Sequence, residues 1–213
     1  MKRSNINFYN LFWIFIIGSI FGFLIELLWF VVKWGSFQYN QGLLYGPFVT
    51  IYGFGAVILT ILCYLLKNQK KWLIFIVGFV AFGLFEHLAG LFLEHVLGAF
   101  AWDYSRVDYN FTIGKYVYLP YCFVWGAFTV IWFTWIQNPL LNFINKYMNK
   151  IMKCITIIFA IFMTLNIIMT SLATIRLVER ASDIPPSNRL EEFIDRHYDD
   201  EFMRRWMPKR RVK

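Results

Sequence analysis

Residues Leu11–Val32 read LFWIFIIGSIFGFLIELLWFVV, a run whose one charged residue is Glu26. A helix crossing the hydrocarbon core of a bilayer needs about 20 mainly apolar residues. Lipid offers no partner to backbone N–H and C=O groups, so such a run is expected to be helical. Lys2 and Arg3 ahead of it imitate a secretory signal. The run outlasts a signal's apolar region and carries no small-residue cleavage site, so it is read as a retained first span.

Four further stretches pass the same test: about Pro47–Leu66, closed by Lys67, Lys70 and Lys71, then about Trp72–Gly98, Tyr116–Ile136 and Cys154–Ile175. The whole chain is 59% hydrophobic and 16% charged, against about 45–50% and 25% in soluble domains. The reading is therefore an all-α, polytopic transmembrane helical bundle of about five spans, multi-pass in the cell membrane with the lipid bilayer as its solvent.

Between the fourth and fifth spans, Leu140, Leu141, Phe143, Ile144, Tyr147 and Met148 repeat at helical spacing after Asn138-Pro139, while Asn142, Asn145, Lys146 and Asn149 share the other face. That is the pattern of an interfacial helix, with a wet extension of the fifth span as the alternative. Residues 1–175 form the transmembrane domain and 176–213 a charged, partly helical tail. Asn188, three residues before Glu191, opens the tail's amphipathic segment in a capping-box variant. The tail holds 10 of the 21 Lys/Arg and 8 of the 13 Asp/Glu.

Orientation stays open. An inside N-terminus puts Lys2, Arg3, Lys67, Lys70, Lys71, Lys146, Lys150 and Lys153 on the cytoplasmic side, as the positive-inside rule prefers. Five spans then export the basic tail. Either the tail is outside, or the N-terminus is, or one apolar stretch is re-entrant.

The net charge of +8 does not point to nucleic acid, because no basic stripe interleaves with aromatics outside the apolar runs. Cys63, Cys122 and Cys154 stand apart from one another, without redox or metal spacing. No metal site and no cofactor are expected: Glu86-His87 and Glu94-His95 lie about 12 Å apart along a helix, too far to chelate one ion alone.

An acidic residue at the centre of a span costs about 2.5–3.5 kcal/mol on insertion scales, so Glu26, Glu86 and Glu94 invite a functional reading. Gly18, Gly22 and Glu26 follow at intervals of four, the spacing of a close-packing seam or of a carboxyl lining a cavity. Gly83, Glu86, His87, Gly90 and Glu94 fall within about 100° of helical arc and form one small, polar stripe. Two loops adjoin: Asn40–Pro47 with Tyr45, and Trp102-Asp103-Tyr104-Ser105. Each reads as an ordinary turn or interfacial anchor, or as a structured cover over a cavity. The candidate cavity or substrate-binding residues are Glu26, Tyr45, Glu86, His87, Glu94, Trp102, Asp103 and Tyr104.

Asn40–Gly53 (NQGLLYGPFVTIYG), Glu86, Gly90 and Glu94 with Trp102–Ser105 (WDYS), Asn110, Gly114 and Trp125-Gly126, and the tail's Ile184-Pro185-Pro186 with Asn188 carry a near full-length resemblance. The chain resembles the ABC-transporter permease type IV (CmpB-like) family of small bacterial membrane proteins. It departs from that pattern at Gln41, Val49 and Lys115, where the family has Arg, Cys and Arg. The resemblance implies a transport component. No GxxxxGK[ST] loop is present, so ATP would have to be bound by a separate ATPase subunit. The competing readings are an intramembrane enzyme acting on a lipid-like substrate, with Glu86 or Glu94 as acid or base, and a non-catalytic assembly partner of other membrane proteins.

Overall fold

The structure is a computed structural model, and it describes residues 6–35, 42–105 and 109–212. The expectations placed on Lys2, Arg3, Asn40 and Gln41 lie outside these residues.

Helix α1 (Phe8–Trp34) starts where the Asn7 side chain accepts from the Asn10 amide at 3.0 Å and Asn10 returns the contact, a reciprocal cap. It stops at Gly35, whose φ of 64° only glycine adopts without strain. Helices α2 (Thr50–Leu65), α3 (Lys71–Val96) and α4 (Leu119–Ile131) follow, then a π turn (Trp132–Ile136) leading into α5 (Gln137–Tyr147). Helix α6 (Lys150–Ala181) begins beneath the Asn149 cap, and the tail supplies α7 (Arg189–His197) and α8 (Asp200–Trp206). Strand β1 (Ala99–Phe100) pairs with β4 (Arg211–Val212), and β2 (Thr112–Ile113) pairs with β3 (Val117–Tyr118), both antiparallel.

Four helical runs are long and apolar enough to cross a membrane: Phe8–Lys33, Lys71–Val96, Leu119–Tyr147 and Lys150–Ala181. They expose apolar side chains in regular stripes. On α3, Trp72, Ile76, Val80, Leu84, Leu88, Phe92 and Val96 face outward every fourth residue, each about half exposed or more. In water such a stripe would be an association surface. Repeated around the bundle, it marks a protein solvated by lipid.

The second expected span is shorter than read. α2 has 16 residues, about 24 Å, and begins at Thr50 rather than Pro47. Proline lacks an N–H, and Gly46 has a φ of 80°, so the backbone before Thr50 is irregular. That irregular segment is not a surface turn. The Val49 amide donates to the Ser19 carbonyl at 3.0 Å, halfway along α1, and Tyr45 is bonded to Asn166, halfway along α6. Residues 42–49 therefore re-enter the bundle, with Leu43 and Phe48 buried among Phe12, Phe15, Ile16 and Met163.

Non-helical backbone survives at this depth only where protein satisfies it. Here α6 does so. The Leu44 amide donates to Thr170 Oγ1 at 3.0 Å, and the Tyr45 amide and carbonyl are clasped by the Asn166 carboxamide at 3.2 and 2.7 Å. The Leu44 carbonyl accepts from Trp206 Nε1 at 2.9 Å.

The expected interfacial helix also differs. Gln137–Tyr147 continues the fourth span in one helical run, and the break falls at Met148-Asn149. Pro139 removes one backbone donor and would crowd the preceding turn, and the π turn just before it absorbs the misfit. The buried Gln137 side chain anchors the run by donating to the Thr60 carbonyl at 3.3 Å.

The tail folds back on α6. Ile194, Tyr198, Met203 and Met207 form a buried cluster with Ala173, Leu177 and Leu44. Arg176, 2% exposed, donates to Asp195 at 2.6 and 3.1 Å and to Glu179 at 2.7 Å, while Arg180 bridges Asp195 and Asp200. Hydrogen bonds from Arg176, then from Arg180, hold the Asp195 carboxyl below its ordinary pKa of 3.8. A carboxyl whose folded pKa is lowered adds stability above its unfolded value and loses it as pH falls through the folded one. Release of the tail from α6 by urea, read by amide exchange in α7, is therefore expected to need less denaturant below about pH 4 than at pH 5. Equal resistance at pH 3 and pH 5 would dismiss Asp195 as the fastener.

Candidate functional site

Two glycine seams build the site. On α1, a Cβ at Gly18 would meet Ala56 at 2.8 Å and one at Gly22 would meet the Tyr52 ring at 2.4 Å, so α2 rests directly on this face. The Tyr52 hydroxyl thereby reaches Glu26 and donates to Oε1 at 3.2 Å. The same device recurs on α3. A Cβ at Gly90 would meet the Tyr116 ring at 2.3 Å, and the Tyr116 hydroxyl donates to Glu94 Oε2 at 2.6 Å. Gly22-Phe23-Leu24-Ile25-Glu26 and Gly90-Leu91-Phe92-Leu93-Glu94 are thus one motif used twice. Each glycine seats a tyrosine ring whose phenol caps the glutamate one turn on.

The polar stripe of α3 faces inward, opposite the lipid-facing one. Gly83 packs on Cys122, Glu86 Oε1 accepts from Trp125 Nε1 at 3.2 Å, and Glu94 Oε1 pairs with Lys115 at 2.8 Å. The Glu94 carboxylate in turn raises the pKa of Lys115, first through that hydrogen bond. Burial, then the Glu94 contact, lifts the Tyr116 phenol to about 12.

Between the seams lies a cavity of about 390 Å³. Glu26 and Glu86 line it, with Tyr52, Trp102, Tyr104 and Trp125; Phe54, Phe82, Phe85 and Phe92 supply apolar wall. Phe54 and Phe92 are also about half exposed on the outer surface. Thr170, Ser171 and Thr174 of α6 complete one side, and Met207, Lys209 and Arg210 of the tail close another.

The charges are unevenly matched. Lys209 Nζ forms an ion pair with Glu26 Oε2. Glu86 Oε2 is buried without a hydrogen-bond partner, and so is Arg210 Nη1. Burial alone pulls Arg210 down from 12.5 to about 10. Burial also raises the Tyr104 phenol.

Of the residues anticipated from sequence, Glu26, Glu86, Trp102 and Tyr104 meet at the cavity. The other four are placed elsewhere. Glu94 is held by Lys115 and Tyr116, and the His87 ring lies 6.4 Å from that of Tyr116 with its Nδ1 buried and unpartnered. Tyr45 hydrogen-bonds through its hydroxyl to that of Tyr198. Asp103 accepts from the Ser105 amide at 2.8 Å and shapes its loop.

Tyr52, Trp125, Lys209 and Arg210 were not anticipated. Only the polar face Asn166, Thr170, Thr174 on α6, recurring every four residues, gave a readable hint that something polar packs there. No three His, Cys, Asp or Glu side chains among the described residues converge as metal ligands.

A family model described as "Putative ABC-transporter type IV" matches residues 13–171, which include both seams, the re-entrant segment and, on α6, Thr170 and Ser171 but not Thr174. Lys209 and Arg210 lie beyond the matched residues. No curated protein and no solved structure matches the chain.

Proposed function

The chain belongs to the ABC-transporter type IV family, and from that membership we propose that it is a permease-like transport component whose ligand occupies the cavity between α1, α2, α3 and α6. The observation that carries the proposal is Glu86. It lies 15 residues, about 22 Å, along α3, with one oxygen held by Trp125 and the other buried and unpaired. A seam carboxyl serving only as helix glue would have both oxygens engaged, as those of Glu94 are. An unpaired one at this depth is a typical element of an intramembrane pathway.

We infer the orientation from which ends meet. Lys67, Lys70 and Lys71 stand at one end of the bundle with Lys146, Lys150 and Lys153, while the tail gathers at the other, against Leu44 and β1. Three of the tail's ten basic side chains, Arg176, Arg180 and Lys209, are paired with Glu179, Asp195, Asp200 and Glu26. Beyond α6, only Arg189 and Arg196 of the tail fall within about 15–20 residues of the span's end, the range in which basic residues weigh on orientation. The lysine-rich end is cytoplasmic, and the cavity and tail face the outer side. A separate ATPase subunit would dock on the cytoplasmic end, since this chain has no Walker loop.

The test is flux of a lipid and small-solute panel in proteoliposomes containing the chain and whatever ATPase co-purifies with it. Glu86→Gln keeps size and the Trp125 contact but removes the charge. It is expected to lower flux by about ten-fold, the effect of losing one charge-assisted hydrogen bond. Unchanged flux in a properly assembled variant rejects the cavity as the pathway. Loss of lipid turnover with no flux in either protein would instead indicate an enzyme.

A further inference from the structure

An acidic and a basic residue line one cavity, each with a buried side-chain atom that has no hydrogen-bond partner. Glu86 reaches it from α3 and Arg210 from the tail, and no ion pair joins them. A buried polar or charged group without a partner is unfavourable, and a ligand group of complementary chemistry would relieve it. Lys209 cannot serve Glu86, because Glu26 already holds it.

We propose that the cavity is a binding site for a zwitterionic amphiphile, its ammonium group taken by Glu86 and its oxyanion by Arg210.

The surroundings fit both ends. Trp102 and Trp125 line the same cavity, and the Trp125 indole N–H holds one Glu86 oxygen in place. A guanidinium suits phosphate or carboxylate by presenting several donors in one plane. The rest of the wall is apolar, and Phe54 and Phe92 belong both to it and to the exposed outer surface. That continuity favours a ligand with an acyl tail, a phosphoethanolamine-type lipid, over the same headgroup free in solution. The inference rests on the cavity's being a ligand site, as proposed above, but it is read by binding and not by transport.

The probes are dihexanoyl phosphatidylethanolamine, free phosphoethanolamine, dihexanoyl phosphatidic acid and hexylammonium. Each is titrated calorimetrically into the full chain in detergent. The zwitterionic lipid is expected to bind about ten-fold tighter than the phosphatidic acid or the alkylammonium. Glu86→Gln should reduce its affinity to that of phosphatidic acid while leaving phosphatidic acid unchanged. Arg210→Gln should do the converse, and Arg210→Lys should restore part of the loss, which a merely misfolded tail would not.

Equal binding of all four probes, or a zwitterion affinity insensitive to both substitutions, overturns the proposal. Tight binding of free phosphoethanolamine at the lipid's affinity assigns the site to a soluble headgroup. If the lipid binds as expected but no flux is found, the transport reading fails and this one stands. If flux depends on Glu86 but no probe is preferred, the reverse holds.

Discussion

Replacing Arg176 with Met is expected to detach the tail from the bundle. The Arg176 guanidinium is 2% exposed and holds Glu179 within its own helix and Asp195 on α7; Nη2 also contacts the Ile184 carbonyl at 3.4 Å. Its fork meets Asp195 with two nitrogens, the geometry that makes arginine–carboxylate pairs strong. Removing one partner of a buried pair is destabilising by about 3–5 kcal/mol, because the carboxylates left behind are still partly withdrawn from water. The apolar cluster around Ile194 and Met203 resists the change but is small.

The expected readout is rapid trypsin cleavage at Arg180, which its pairs with Asp195 and Asp200 shield in the wild type, with the helical bundle's own melting little altered. The consequence reaches the cavity, since Lys209 should leave Glu26 and Arg210 should leave the wall. Arg176→Met combined with Asp195→Leu should recover part of the loss by restoring apolar packing. Wild-type protease resistance in Arg176→Met would show that the clamp does not hold the tail.

Gly53→Leu is expected to separate α1 from α2. A Cβ at Gly53 would meet Ser19 Oγ at 2.2 Å, the Phe15 carbonyl at 2.6 Å and the Phe15 ring at 2.7 Å. The carbonyl belongs to the α1 backbone and cannot rotate away, so the helices must move apart. Overpacking of this kind is typically worth about 1–3 kcal/mol, and occasionally more, with a leucine at the upper end. Separation would also lift the Tyr52 ring off Gly22 and break its bond to Glu26.

Thermal unfolding in detergent should show a large drop for Gly53→Leu and a small one for Gly55→Ala, whose Cβ would meet only the edge of the Phe82 ring at 3.2 Å. Equal effects at the two positions would mean that the seam is not the tight contact described.

Much of the architecture was legible because lipid imposes simple rules. Long apolar runs, Glu26 and Glu86 within them, and the inward stripe from Gly83 to Glu94 follow from the energetics of putting helices and carboxyls into hydrocarbon. Gly18 and Gly22 were readable as a seam because small residues at intervals of four let another helix approach closely, and the Tyr52 ring indeed lies 2.4 Å from where a Cβ of residue 22 would sit. The errors fell where helix rules stop. Pro47 was placed inside a span because its neighbours are apolar, yet residues 42–49 are apolar and irregular at once. Their backbone is satisfied by Thr170, Asn166 and Trp206, which lie 121 to 162 residues away. Pro139 was read as a helix start, whereas a π turn carries the fourth span through it.

The sequence by itself determined that this protein lives in a membrane, that its helices pack through glycine, and that it carries acids where acids are costly. These are local properties, set by residue type and spacing along a single helix. The tertiary structure alone decided which acids share a cavity, which are already paired, and that Lys209 and Arg210 from the far end of the chain complete its wall. Charge matching is a sum over neighbours in space. No window along the chain contains both Glu86 and Arg210.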